Sequence, residues 1–365
     1  MACRECLRRD KSLSVQSRNP LFGVVAVTLG TLLAAFVAEV TLRLAHFAPG
    51  RVNSGYLQFG YQEGIPSVDE DGVRSEGHPV RVRLFEPDPD LLWRPIANTE
   101  FTNSQGMRGK GEHQESKVPG TLRVAFLGDS CSFLGDPVFP EIVEKQLRER
   151  FPQRKVESLN FSSPGYSSFQ GVRLLDRVRR WQPDAVVVYF GWNDHWPAQG
   201  GLTDTLQASV GSGLRIVGLI RAVYASRQST PINRVPIDGY RTNLTTIRDA
   251  ISQWGAIPVF VTAPTGFRGG AMPGWTYRFY GQFYHMDRAT VDSLPAIHHQ
   301  YTDVVRSVAA SPPSVLVDTE ADFAAINDSA AQLFRKDQIH LQPAGHERMA
   351  ADLTEALATA LARRQ

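Results

Sequence analysis

The sequence predicts an α/β protein: a three-layer α/β/α sandwich with a mostly parallel sheet, preceded by one transmembrane helix. Three observations carry that expectation. Beyond residue 119, short apolar runs of strand length alternate with longer helical stretches, the pattern of βαβ units. The region 119–365 is long enough to bury a full core as one domain. Near the other end, residues 21–38 form an uncharged, largely apolar run of eighteen residues, close to the length of a bilayer span.

The expected strands are 123–127, 156–159, 185–190, 257–262 and 315–317. Helical stretches lie near 140–151, 169–181, 240–254, 297–309 and 343–363. Pro343 suits the first turn of the last helix, where its missing N–H costs nothing, so Asp337 and His340 fall on the preceding loop. Residues 196–238 and 264–295 exceed ordinary loop length and read as insertions over the site. Residues 49–118 carry many prolines, glycines and charges and read as a stalk or an irregular cap. The expected division is a tail over 1–20, an anchor over 21–47, a stalk or flank-packing segment over 48–118, and a main domain over 119–365.

Charge gives the anchor a direction. Arg4, Arg8, Arg9, Lys11 and Arg18 precede the run, and only Arg43 and Arg51 follow it closely. The positive-inside rule then leaves the amino terminus in the cytoplasm and exports the rest. Glu39 is tolerable at the outer edge of a span, though costly deeper. The competing reading is a cleaved signal peptide, but the run is long for one and residues 34–38 offer no clear Ala-x-Ala site.

The chemistry is carried by residues at the ends of strands. Gly128-Asp129-Ser130 follows the first apolar run, and Asp337-Gln338-Ile339-His340 precedes the last helix. A serine hydroxyl needs a base to become a nucleophile, and a carboxylate on the far ring nitrogen fixes the tautomer of that base. Asn160 to Tyr166, with Gly165 in it, and Gly191-Trp192-Asn193-Asp194 follow two further strands. Loops beyond the carboxyl ends of parallel strands line one crevice, so these positions can converge. Taken singly each block has a plain explanation: Gly-Asp-Ser is a common turn, and Asp337 could cap a helix.

Together, in this order, the four blocks resemble the SGNH hydrolase superfamily, also called the GDSL family, over roughly residues 120–360. The resemblance implies a flavodoxin-like sheet, Ser130 as nucleophile, and His340 with Asp337 as base and orienter. It also implies an oxyanion hole from Ser130, the backbone N–H of Gly165 and the side-chain amide of Asn193. Glycine lets a backbone N–H approach a ligand closely, and an asparagine amide offers two uncharged donors. Asp129 and Asp194 read as structural, tying loops through local hydrogen bonds. Leu84 to Trp93 and Thr102 to Gly109 resemble segments preceding the catalytic domain in membrane-anchored bacterial members of the superfamily, which implies packing on its flank.

Other readings are weaker. The Gly-x-Ser-x-Gly elbow is absent because Ser132 stands where its second glycine would be. Cys131 reads as a small loop or core residue. The histidines 195, 285, 298, 299 and 346 show no metal-ligand spacing, and Cys3 with Cys6 lacks a second pair, so no metal and no cofactor is expected. A net charge of +2 over 365 residues gives no case for nucleic acid. Trp192 and the aromatics of the second insertion, Trp275 and Tyr277 among them, could contact substrate; they could equally form the small core that lets an insertion fold.

The expected function is therefore a serine esterase of the bacterial inner membrane, its catalytic domain in the periplasm, removing a small acyl group such as acetyl from a surface or exported glycan. The alternatives are an O-acyltransferase acting on an exported polysaccharide, a lipid or lysophospholipid esterase, and a noncatalytic glycan-binding module on the same fold.

Overall fold

The computed structural model describes residues 20–45, 67–69, 72–74, 84–198, 201–226, 232–267, 272, 274–284, 286–326, 330–335 and 337–363. The basic tail with Cys3 and Cys6, His285, and most of 46–83 in the expected stalk lie outside the described residues.

Helix α1 (Pro20–Leu44) contains a 24-residue segment, Leu21–Leu44, whose most apolar stretch has a mean hydropathy of 2.4, long and apolar enough to cross a membrane. Two small antiparallel hairpins follow: β1 (Ser67–Asp69) with β2 (Gly72–Arg74), and β3 (Phe85–Asp88) with β4 (Leu92–Pro95). The main domain then runs β5 (Leu122–Leu127), α2 (Phe139–Arg150), β6 (Val156–Asn160), α3 (Ser168–Arg180) and β7 (Ala185–Val188). Next come α4 (Asp204–Ser212), α5 (Arg215–Ser226), α6 (Ile237–Gln253), β8 (Ile257–Val261), α7 (Gly274–Tyr284) and α8 (Arg288–Ala309). The chain closes with β9 (Val315–Val317), α9 (Thr319–Ala324), α10 (Ala330–Leu333) and α11 (Pro343–Ala362).

The five strands β5 to β9 form one sheet in the order β6-β5-β7-β8-β9, every neighbouring pair parallel. This is the predicted fold class. Because crossover helices cover both faces, β5, β7 and β8 are apolar at almost every position and fully buried rather than alternating in polarity. The pleat still sorts side chains. Leu122, Val124 and Phe126 pack with Val143 and Leu147 of α2 and Leu353 and Leu357 of α11. Ala125 and Leu127 pack with Val178 of α3, Ile247 of α6 and Val304 of α8. A one-residue slip of β5 would exchange the two sets, so the register is fixed by both layers.

Boundaries differ from expectation where local chemistry overrides pattern. Helix α8 begins nine residues before 297, at Arg288, and runs through Pro295. Its start is set by Asp287, whose Oδ1 accepts the Thr290 N–H at 2.8 Å. An interior proline costs roughly 3 kcal/mol, and the burial of Val291 and Leu294 in the turn before it offsets that cost. Strand β7 stops at Val188 rather than 190, since Gly191 at φ 142 turns the chain sharply just beyond it.

Residues 84–111 are sewn to the flank of the sheet. Trp93 and Met107 are buried, and Trp93 Nε1 donates to the Pro164 carbonyl at 3.1 Å. Arg108 donates from its guanidinium to Phe133 O and Gly135 O, both at 2.9 Å, and pairs with Glu141 at 2.8 Å.

Candidate active site

Four loops meet beyond the carboxyl ends of β5, β6 and β7. The strand order reverses at β5, whose neighbours are β6 on one side and β7 on the other, so the crevice opens there. Ser130 opens a single 3₁₀ turn, Ser130–Ser132, directly after β5. Asp129 caps that turn, its Oδ1 accepting the Cys131 N–H at 2.8 Å.

His340 arrives from the loop before α11. Its Nε2 lies 2.8 Å from Ser130 Oγ, and its Nδ1 lies 2.7 Å from Asp337 Oδ2. Asp337 Oδ1 accepts the backbone N–H groups of Ile339 at 2.9 Å and His340 at 2.8 Å, so the carboxylate is held by the loop it orients. Gln338, at φ 64, makes the turn tight enough for a side chain and one three residues on to meet. Burial alone would raise the Asp337 carboxyl, but the imidazole and the backbone donors hold it below the usual carboxylate range. An ionised Asp337 places the ring proton on Nδ1 and leaves Nε2 to take the serine proton. The His340 side chain is 16% exposed and Ser130 is half-buried, so a substrate can reach the pair.

Asn193 and Gly165 stand on loops that adjoin the serine turn, the second loop donating its Ser163 N–H to Gly128 O at 3.3 Å. Asn193 Nδ2 donates to Asp129 Oδ2 at 3.2 Å, which ties its amide to the residue beside Ser130 and uses one of its two N–H donors. Burial pushes the Asp129 carboxyl up to about 6 against the hydrogen bonds from Cys131 and Asn193. Gly165 sits at φ 79, a conformation that side chains resist, and its carbonyl accepts Arg234 at 2.9 Å. Asp194 lies behind, its Oδ1 accepting both the N–H and the Oγ–H of Ser168 at 2.9 and 2.6 Å.

A serine, a histidine and a buried aspartate in line, with the Asn193 amide tied to the residue beside the serine, form the geometry of acyl transfer. The profile of the GDSL-like lipase/acylhydrolase family matches residues 126–348, more than half of the chain. The chain belongs to this family. It is therefore an ester-hydrolysing enzyme.

Solved structures similar to this GDSL-like chain include the lipase/acylhydrolase from Enterococcus faecalis, at 17% identity and a TM-score of 0.43, covering 66% of this chain and 96% of that one. Axe2, an acetylxylan esterase from Geobacillus stearothermophilus, is similar at 18% identity and a TM-score of 0.43, covering 65% and 95%. LAE5, an alpha/beta hydrolase from the metagenome of Lake Arreo, Spain, is similar at 19% identity and a TM-score of 0.44, covering 66% and 96%. No curated protein matches the chain.

Within this GDSL-like site, Trp192 is not where a substrate contact should be. It is 1% exposed, stacked on His298 with ring centroids 3.9 Å apart and packed beside His195, Trp196 and Phe267. The turn at Gly191 drives this ring inward, so Trp192 supports the Asn193 loop from below. Tyr277 is also occupied: its hydroxyl donates to Asp292 at 2.5 Å and Arg288 covers its ring at 4.4 Å. Trp275 is half-buried on the same helix, α7. Cys131 is fully buried, and desolvation holds its thiol well above the ordinary range, which leaves the adjacent Ser130 as the reactive group. Among the described residues no three His, Cys, Asp or Glu side chains group as metal ligands.

Several supports are invisible in the sequence. Tyr280 donates to the Asp337 carbonyl at 2.6 Å, and Gly266 N–H donates to Gln338 O at 2.9 Å. A Cβ on Gly266 would come within 2.4 Å of Gln338 Oε1 and 3.0 Å of the Phe334 ring, so any larger residue would displace the Gln338 side chain and crowd that ring. Arg234 pairs with buried Asp204 at 2.8 Å while holding Gly165, and Asp204 also accepts Ser167 Oγ–H at 2.6 Å. His346 of α11 accepts Phe139 N–H at Nδ1 and donates from Nε2 to Leu134 O at 3.2 Å; its burial lowers its pKa to about 4, so the ring stays neutral and that tautomer is kept.

Proposed function

We propose that Ser130 attacks the carbonyl carbon of an ester while His340 takes the Oγ proton, Asp337 holding the imidazole and stabilising its cation. The carbonyl oxygen becomes an oxyanion that accepts hydrogen bonds from the N–H groups of Ser130 and Gly165 and from the Asn193 amide. Collapse expels the alcohol, which leaves with the proton from His340. A water then attacks the acyl-enzyme by the same route, giving the free acid and regenerating Ser130. The observation that carries this reading is the continuous chain Ser130 Oγ to His340 Nε2 at 2.8 Å and His340 Nδ1 to Asp337 Oδ2 at 2.7 Å.

The proposed substrate is a small acyl ester, acetyl foremost, on a surface or exported glycan. Two features support it. The reactive pair is partly exposed, so an ester displayed along a polymer can reach it. Helix α1 is apolar enough to span a bilayer, and five Lys or Arg residues precede it, so in this reading the helix is a retained anchor that holds the domain over 119–365 outside the cytoplasmic face. The test is product analysis with an acetylated oligosaccharide, in water and with a sugar acceptor added. Free acetate that depends on Ser130 is the expected product. Acetate transferred to the acceptor in its place would make the protein an O-acyltransferase, and no acetate in either form would remove the glycan ester from consideration.

A further inference from the structure

The insertion between β7 and α6 has its two roots in the site and its middle on the anchor. Asp204 starts α4, Arg234 follows α5, and this pair holds Gly165. Between those roots, α5 lies against α1. The junction is Glu39: its Oε2 accepts the Ile216 backbone N–H at 3.0 Å, and its Oε1 pairs with Arg43 at 2.6 Å. A carboxylate in an apolar helix is thus spent on the first turn of α5, where unpaired N–H groups and the helix dipole favour it.

Helix α5 also shows an apolar face to the outside. Ile220 is 63% and Tyr224 69% exposed, and Val217 and Val223 are exposed with them, as is Leu214 just before the helix. At about 100° per residue these four helical positions fall within an arc of about 120°, the stripe an amphipathic helix buries. Depth decides what covers it. From Leu21 to Ala38 the anchor rises roughly 27 Å at about 1.5 Å per residue, close to the ~30 Å hydrocarbon thickness of a bilayer. Glu39 follows immediately, so the start of α5 stands at the boundary between lipid and water.

We propose that α5 is a membrane-surface helix whose apolar face is covered by the lipid bilayer, so that the enzyme meets the membrane through α1 and α5 together. The helix that carries this face packs on α1, whose Val40 and Leu44 just beyond Glu39 are themselves exposed, and that neighbourhood favours lipid over a second copy of the chain. Tyr224 suits the headgroup level, where an aromatic ring with a polar tip is stable. Because the roots of the same hairpin hold Gly165, the lipid contact and the oxyanion loop belong to one clamp.

The inference rests on the retained anchor of the preceding reading, and the test separates the two. In the full chain carrying Cys3→Ser and Cys6→Ser, with only the buried Cys131 left, one accessible cysteine at a time is placed at Val27, Ile220 and Glu347, as Val27→Cys, Ile220→Cys and Glu347→Cys. Each is labelled with an environment-sensitive fluorophore in vesicles of phosphatidylethanolamine and phosphatidylglycerol, with retained aryl-ester hydrolysis as the check of folding. Nitroxide lipids should quench the Ile220 label several-fold more than the Glu347 label, from a shallow position, while Val27 is quenched from mid-bilayer. A Val27 label deep in lipid with an Ile220 label as open to aqueous iodide as Glu347 overturns the inference and leaves the anchor standing. An Ile220 label shielded from both quenchers also overturns it, in favour of a protein partner. A Val27 label open to iodide overturns anchor and inference together.

Discussion

Asn193 makes one hydrogen bond to Asp129 and has a second amide proton to direct at a developing oxyanion. Asn193→Ala should lower kcat by roughly 10²–10³-fold, since such a donor acts mainly on charge that appears in the transition state. Steady-state kinetics on a short-chain aryl ester check this, and a change confined to KM would make Asn193 a ground-state contact instead. Asp194 allows a different test. Burial raises its carboxyl from 3.8 to about 7 against its bonds to Ser168. The folded chain therefore keeps a proton that the unfolded chain releases, and the stability tied to it is whole below 3.8 and lost as pH rises through about 7. Asp194→Asn keeps the acceptor for Ser168 and cannot ionise. Its melting temperature relative to wild type should climb from about pH 4 to about pH 8, and a flat difference would contradict a buried carboxyl that ionises in this range.

The segments between strands explain which parts of the molecule could be read from the sequence. Ser130, Asp337 and His340 were legible because each sits in a short local pattern at the end of a strand or before a helix. Trp192 was not, because a ring after a strand can point either way, and the turn at Gly191 sends it into the core. Arg234, Tyr280 and Gly266 act through partners far along the chain on insertions whose path no periodicity encodes. Arg234 should matter accordingly. Arg234→Met strands the buried Asp204 carboxylate and should cost roughly 3–5 kcal/mol, with kcat reduced because Gly165 loses its hold. Adding Asp204→Leu should restore much of the stability, as apolar replacement of a buried pair often does, but not the kcat. Chemical denaturation and kinetics on the single and double variants check both halves, and full recovery of kcat in the double variant would show that Arg234 has no positioning role.

For the whole molecule, the sheet and its two helical layers followed from apolar runs of strand and helix length, whereas the join between α1 and α5 centres on the Glu39 carboxylate accepting the Ile216 N–H, which no pattern announces. A retained α1 predicts that the intact chain stays with membranes through an alkaline wash and leaves only with detergent, as an integral span does. A reporter that works only outside the cytoplasm, fused after Gln365, should be active. Recovery of a soluble chain shortened near residue 38 would instead mean that α1 is cleaved as a signal peptide.

The central claim is that Ser130, activated by His340, is the nucleophile. The direct measurement is labelling of the purified full chain with a fluorophosphonate, followed by peptide mass mapping. The label should map to Ser130, be absent from a folded Ser130→Ala variant, and form far more slowly in His340→Ala. Stoichiometric labelling that persists in Ser130→Ala, or that maps to another residue, would contradict the account.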